Sequence, residues 1–199
     1  MIRGRKQFPA FPPLAFAILA LALAGAHAQP RPPSYAAAAA AEARPLGSAQ
    51  KLERHFLQLT AANARFEADA SRLVPTRSTS PAAKEIARAV MDRQKTMQPE
   101  LLHLLQARGM AMPILSNDHN KVMKQLGKAS GAKFDRMYVE EVALRTYQAD
   151  IENFEKMATQ AEDPVLKAWV ERQLPALRNQ LAAVNRALPS ASLRGQRAV

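Results

Sequence analysis

The sequence predicts an all-α protein, on three observations. Four long segments place apolar residues at alternating steps of three and four, the spacing of one face of an α-helix. Prolines and small polar residues stand where those segments begin and end. No sustained apolar–polar alternation and no enrichment in β-branched residues competes as a strand.

The chain opens with what reads as an export leader, residues 1–28. Arg3, Arg5 and Lys6 make a basic start, and Leu14 to Ala24 form an apolar run of 11 residues. Ala26-His27-Ala28 is a small-x-small cleavage site before Gln29. A spanning helix needs about 20 apolar residues. The expectation is therefore cleavage after Ala28 and a periplasmic protein, with an uncleaved inner-membrane anchor as the alternative. The absence of Cys after the apolar run excludes a lipid-anchored lipoprotein.

Cleavage leaves 171 of 199 residues, which suits one domain burying roughly 70% of its unfolded surface. With no Cys anywhere, the core alone carries stability, and thiol catalysis, Fe–S clusters and Cys-based zinc sites are ruled out. The net charge of +11 includes three leader cations, so the mature chain carries +8. Its basic residues are scattered from Arg31 to Arg197 without a concentrated stripe, so no nucleic-acid partner is expected. Anionic envelope lipids or acidic polymers are the partners such a charge would meet; a solvated basic surface that binds nothing in particular is the bland alternative.

Residues 29–47, containing "PRPPSYAAAAAAEARPLG", read as a Pro/Ala linker. The folded domain is expected over 48–188, followed by a disordered basic tail, 189–199. The first helix is expected from about Ser48 to Val74, stopped by Pro75, with Leu52, Phe56, Leu59, Asn63, Phe66, Ala70 and Leu73 on its stripe. The second opens with Ser80 as N-cap and Pro81 first, ends at Gly109, and carries Ile86, Val90, Gln94, Met97, Leu101 and Leu104. Pro99 should kink it. A short helix from about Asn117 to Ala129 follows. The third long helix covers about Ala132 to Ala161 with Met137, Leu144, Tyr147, Ile151, Phe154 and Ala158. The fourth starts with Asp163 as cap and Pro164 first and runs to about Leu188. Leu166, Val170, Gln173, Leu177, Gln180 and Val184 form its stripe, and Pro175 should bend it. Short turns within each pair and a long connection between pairs describe a ferritin-like four-helix bundle: two antiparallel helical hairpins joined by a crossover containing a short helix.

Each long helix writes a polar residue on or beside its apolar face: Asn63 or Glu67, then Gln94, Tyr147 and Gln180. An amide or hydroxyl buried without a partner costs about 1–3 kcal/mol, so such groups find each other or water. One reading is a degenerate interior site; the other is a hydrogen-bonded polar layer that fixes register. The di-metal chemistry of such bundles needs a Glu from each of two helices and a Glu-x-x-His from each of the others. Only Glu100-Leu101-Leu102-His103 matches, without a second copy and directly after Pro99. Glu67 with Glu100 and His103 is the one alternative ligand set, and no cofactor is expected. No Gly-rich phosphate loop and no Gly-x-Ser-x-Gly is present, and Met110, Met112 and Met123 read as core fillers.

Three blocks carry a likeness: "GAKFDRMYVEEV" from Gly131, "DIENFEKMATQAEDPVLKAW" from Asp150 and "LPALRNQLAAV" from Leu174. They resemble an exported bacterial family, domain-of-unknown-function family 4142. Its Phe-Asp-Arg-x-Tyr block falls on Phe134, Asp135, Arg136 and Tyr138, and its Leu-Pro-x-Leu block on Leu174, Pro175 and Leu177. The resemblance implies a ferritin-like helical bundle and no established activity. It also implies His where this chain has Gln94, Tyr147 and Gln180, with the first-helix Glu kept as Glu67. Counting from Phe154 selects Tyr147; counting from Tyr138 selects Thr146. Gln and Tyr are poor divalent-metal ligands, so this chain reads as a non-enzymatic envelope protein with a neutral polar layer.

Overall fold

The computed structural model describes residues 45–196, with side chains through Leu188. The leader, its cleavage site and the linker up to Arg44 lie outside the described residues, as do 197–199. The described residues are helical, without a strand. No described helix is long and apolar enough to cross a membrane.

Helix α1 spans Ser48–Ser71, and a one-turn helix, α2, spans Val74–Arg77 with Pro75 in its first turn. Proline is tolerated there because the first turn's N–H groups have no intrahelical partner. Helix α3 spans Pro81–Gln106. Its start follows from sequence: Ser80 Oγ accepts from Ala83 N at 3.3 Å, and Pro81 is preset for the first helical position. It ends three residues before the expected Gly109, which turns the chain with a left-handed φ of 62°. The helix continues through Pro99. Helix α4, Asn117–Leu126, is capped by Ser116 Oγ accepting from His119 N at 3.1 Å.

The third long segment is not one uniform helix. It begins as α5, Gly131–Met137, passes through a π-helical stretch at Tyr138–Leu144, and continues as α6, Arg145–Gln160. Its buried positions explain the underwound stretch. Phe134, Tyr138, Val142, Thr146, Asp150 and Phe154 are all buried and recur every four residues. An α-helix overshoots by about 40° at each such step. A wider i→i+5 turn takes up the overshoot and keeps one face on the core. Met137 and Leu144, expected on the stripe, are therefore only partly buried, while Val139 and Ala143 are buried.

Helix α7 spans Pro164–Gln196. Asp163 Oδ1 accepts from Val165 N at 2.8 Å and Leu166 N at 3.3 Å, which fixes its start. The backbone stays helical to Gln196, beyond the expected end near Leu188.

Helix α1 packs on α3, α3 on α7, α7 on α6, and α6 on α1. Polar clips tie the helix ends. At one end, Glu53 Oε1 accepts from Glu162 N (3.0 Å) and Asp163 N (2.9 Å), and Asp163 pairs with Arg108. At the other, Asp135 Oδ2 accepts from Thr79 N (3.3 Å) and Thr79 Oγ1 (3.0 Å). The connection from α3 to α5 runs along α1 and α2: Arg65 donates to the Pro113 carbonyl at 3.2 Å, His119 stacks on Phe66 at 4.3 Å, and Arg77 of α2 donates to the Ala129 carbonyl at 3.1 Å.

The core near the first end is aromatic. Phe56, Phe154 and Trp169 meet with centroids 5.0, 6.5 and 5.5 Å apart, pairs worth about 0.5–1.5 kcal/mol each beyond their burial. Leu59, assigned to the α1 stripe, is instead 38% exposed, and Leu57 is fully buried. Both fit a three-or-four step from their neighbours, and α1 faces α3 and α6 on the side of Leu57. Met110 is buried, with Met112 and Met123 partly so against the same core.

Candidate functional site

Midway along the helices the core turns polar. Glu67 on α1 is fully buried, and Arg93 on α3 donates to its Oε2. The Arg93 guanidinium also lies over the Tyr147 ring, 5.5 Å from the centroid, and its Nη1 points at Met97 Sδ, 3.5 Å away. Asp150, one turn beyond Tyr147 on α6, is buried and accepts from Asn63 Nδ2 at 2.6 Å. Asn63 and Glu67 stand four apart on α1, so they present to the same side. Three helices thus bring two carboxyls, one guanidinium, one amide and one phenol together.

The electrostatics follow from burial. Desolvation pushes the Glu67 carboxyl up to about 8, offset in part by Arg93 and reinforced by Asp150. Asp150 rises to about 6 by the same desolvation, moderated by its bond from Asn63 and by Arg93. The Tyr147 phenol is held well above its usual range by burial and by the Glu67 carboxylate. Arg93 remains charged: burial opposes its cation, and Glu67 and Tyr147 restore it. Burial thus works against charge on both carboxyls, and the Arg93 cation works for it.

The candidate interior layer is Glu67, Gln94, Tyr147 and Gln180, and the structure does not bring these residues together as one layer. Tyr147 and Glu67 belong to the charged cluster. Gln94 is buried at the α1–α3 contact and donates from Nε2 to the Ala64 carbonyl at 3.0 Å. It also borders a groove lined by Arg65, Asp69, Arg72 and Gln98. Gln180 is only partly buried and donates to the Ala89 carbonyl of α3 at 3.3 Å. Each amide caps a helix–helix contact separately. Of the two residues that counting selected on α6, Tyr147 is fully buried and Thr146 nearly so.

The alternative ligand set is not assembled. Glu67 is interior, whereas Glu100 and His103 are exposed, and Glu100 instead meets Gln173 Nε2 at 3.3 Å and Arg172 at 3.6 Å. Among the described residues no three His, Cys, Asp or Glu side chains converge as metal ligands. The donor chemistry of the interior does not fit the di-metal centre of ferritin-like proteins either. Among the described residues no imidazole reaches it, and a guanidinium already occupies Glu67 Oε2.

The signature blocks serve packing at both ends. Phe134 and Tyr138 are buried and stacked, centroids 6.1 Å apart, and the Tyr138 hydroxyl meets Ser71 Oγ at 2.7 Å. Asp135 caps the turn before α3. Leu174 and Leu177 are buried, while Arg136 and Pro175 face solvent.

Sequence reasoning passed over Arg93 and Asp150, because a charged residue on an amphipathic helix is ordinarily solvated. The signal was nevertheless present. Arg93 lies three after Val90 and four before Met97, so it fits the α3 stripe as well as its neighbour Gln94 does.

No curated protein and no solved structure matches the chain. A family model described as "Domain of unknown function (DUF4142)" matches residues 36–187. That match spans most of the sequence, from before α1 to near the last described side chain. The chain belongs to this family of unknown function.

Proposed function

We propose that this is an exported, non-enzymatic protein of the cell envelope, a ferritin-like four-helix bundle whose interior site is filled by its own side chains. The observation that carries the reading is the sealed Glu67–Arg93 pair. A catalytic carboxyl needs access to substrate. Here both carboxyls are buried against a guanidinium and an amide, so the cluster orders the core. The end clips support the bundle: Glu53, Arg108 and Asp163 gather the start of α1, the end of α3 and the start of α7. Asp135 and Thr79 gather the start of α3 and of α5. The basic leader, apolar run and Ala-His-Ala of residues 1–28 support export and cleavage after Ala28. The test is metal analysis of protein recovered from the periplasm and dialysed. We expect a mature chain beginning at Gln29 with far less than one equivalent of iron, manganese, zinc or copper. Stoichiometric metal would defeat the reading.

A second reading, binding of anionic envelope components by the basic surface, is favoured by one groove. Val74, Pro75, Ala87 and Met91 line a space of about 410 Å³ with Lys84, Arg88 and Lys95, and Asp92 beside them pairs with Lys95 at 2.6 Å. Binding to anionic vesicles that weakens steeply with salt would support it, and no binding at low salt would remove it.

A further inference from the structure

The groove bordered by α2 and α3 carries more positive charge than its neighbours balance. Val74 of α2 and Lys84, Ala87, Arg88 and Met91 of α3 border its space of about 410 Å³. We propose that it binds one free long-chain fatty acid, with the carboxylate on Lys84 and Arg88 and the chain along Val74, Ala87 and Met91. This rests on the second reading above and narrows it to one ligand class.

Lys84, Arg88, Met91 and Lys95 recur along α3 at steps of four, three and four, so one stripe of the helix carries three cations and a thioether. Burial sorts the groove. Val74 and Ala87 are buried and Met91 half-buried, whereas Arg88 and Lys95 are exposed. Apolar surface therefore lies toward the core and cations toward water, the order in which the chain and head of an amphiphile would sit. Charge complementarity fixes the sign of the head. Asp92, the one carboxylate bordering the space, is engaged by Lys95 at 2.6 Å. Lys84 and Arg88 pair with no carboxylate among the described residues, and Glu85 between them makes no ion pair. They stand four apart, where like charges on a helix repel. Lys84 is also the fourth residue of α3, close to the end whose dipole disfavours a cation. A bound carboxylate relieves both. The space falls within the ~300–1,000 Å³ of small-molecule sites. A bilayer surface fits less well, because the exposed large apolar residues that could enter one, Leu46, Leu59, Leu102, Ile114 and Val165, do not border this groove.

The experiment is calorimetric titration of the purified protein with sodium dodecanoate, kept below its micellar concentration. We expect saturation near one equivalent, with affinity rising about tenfold or more from octanoate to dodecanoate as more chain is buried. Lys84→Gln/Arg88→Gln should weaken dodecanoate binding about fivefold or more. Met91→Glu sets a carboxylate against the chain and should abolish it. Lys121→Gln/Lys133→Gln removes the same charge from α4 and α5, outside this groove, and should leave binding unchanged. Thermal unfolding checks that each variant is folded, and the exposed position of Arg88 makes the first double variant the safest in that respect. The proposal is overturned if dodecanoate does not saturate near one equivalent, if chain length makes no difference, or if the two charge-removing variants weaken binding equally. Anionic vesicles that bind where dodecanoate does not would overturn this site and leave the second reading standing; loss of both would end both.

Discussion

Arg93 on α3 and Glu67 on α1 form an ion pair from which solvent is excluded. Their attraction is set against the loss of hydration of both charges, so the pair is a weak source of stability when compared with apolar side chains of the same shape. It is a strong constraint once present, because removing one partner strands the other in the core, at about 3–5 kcal/mol. The pair therefore fixes how α1 and α3 meet.

The first prediction concerns pH. Burial holds Glu67 near 8 in the folded protein, against 4.5 when solvated. Between those values the folded state binds the proton that the unfolded state has released. Stability contributed by this group is thus complete below its unfolded pKa and lost as pH rises through the folded one. The expected slope is up to about −1.4 kcal/mol per pH unit. Asp150 adds to it between 3.8 and about 6. Urea unfolding across this range should show a falling midpoint, and Glu67→Gln should flatten it. A wild-type midpoint that climbs over the same range would contradict the assignment.

Gln94 should be dispensable. Gln94→Leu removes one donor from the Ala64 carbonyl, which lies within α1 and keeps its helical partner. A loss of about 0.5–1.5 kcal/mol is expected in denaturant unfolding. A loss beyond about 3 kcal/mol would mean that Gln94 holds more than this one contact.

The Ser71–Tyr138 bond should show an asymmetry. Ser71→Ala leaves a buried phenol unpaired, at about 1–3 kcal/mol. Tyr138→Phe leaves a serine on a helix, whose hydroxyl can turn to the carbonyl four residues back. The first variant should therefore be the less stable by calorimetry; equal losses would show that the bond is not made as described.

The crossover should loosen in acid. His119 stacks on Phe66, and burial lowers its pKa despite the neighbouring Asp118. A lowered folded pKa means that its contribution is present above about 6.5 and lost as pH falls below it. Amide protection factors in α4, which discount the slower intrinsic exchange in acid, should fall below that pH. His119→Phe keeps the stacking without the charge and should abolish the effect; a fall of the same size in that variant would assign it elsewhere.

The helices were legible because their signals are local. Ser80–Pro81 and Asp163–Pro164 mark starts that the hydrogen bonds reproduce, and three-and-four spacing marks the faces. The π stretch was legible in principle, since Phe134, Tyr138, Val142, Thr146, Asp150 and Phe154 recur every four residues. It was missed because α-periodicity was assumed throughout. The charged cluster was less legible, because whether Arg93 turns inward depends on Glu67, 26 residues away, and on Asp150 beyond the crossover. Gln94 drew attention as the odd residue on the stripe, yet the residue beside it carries the interior charge.

The central claim is that Glu67 and Arg93 act as one self-neutralising structural unit. A double-mutant cycle by urea unfolding above the Glu67 pKa of about 8, where its carboxylate is charged, with Glu67→Gln, Arg93→Met and both together, tests it most directly. The account predicts that the Arg93→Met single variant loses about 3–5 kcal/mol and that the double variant recovers most of it, leaving a coupling of roughly 2 kcal/mol or more. Losses that add to within about 0.5 kcal/mol would show that the two residues are energetically independent and contradict the account.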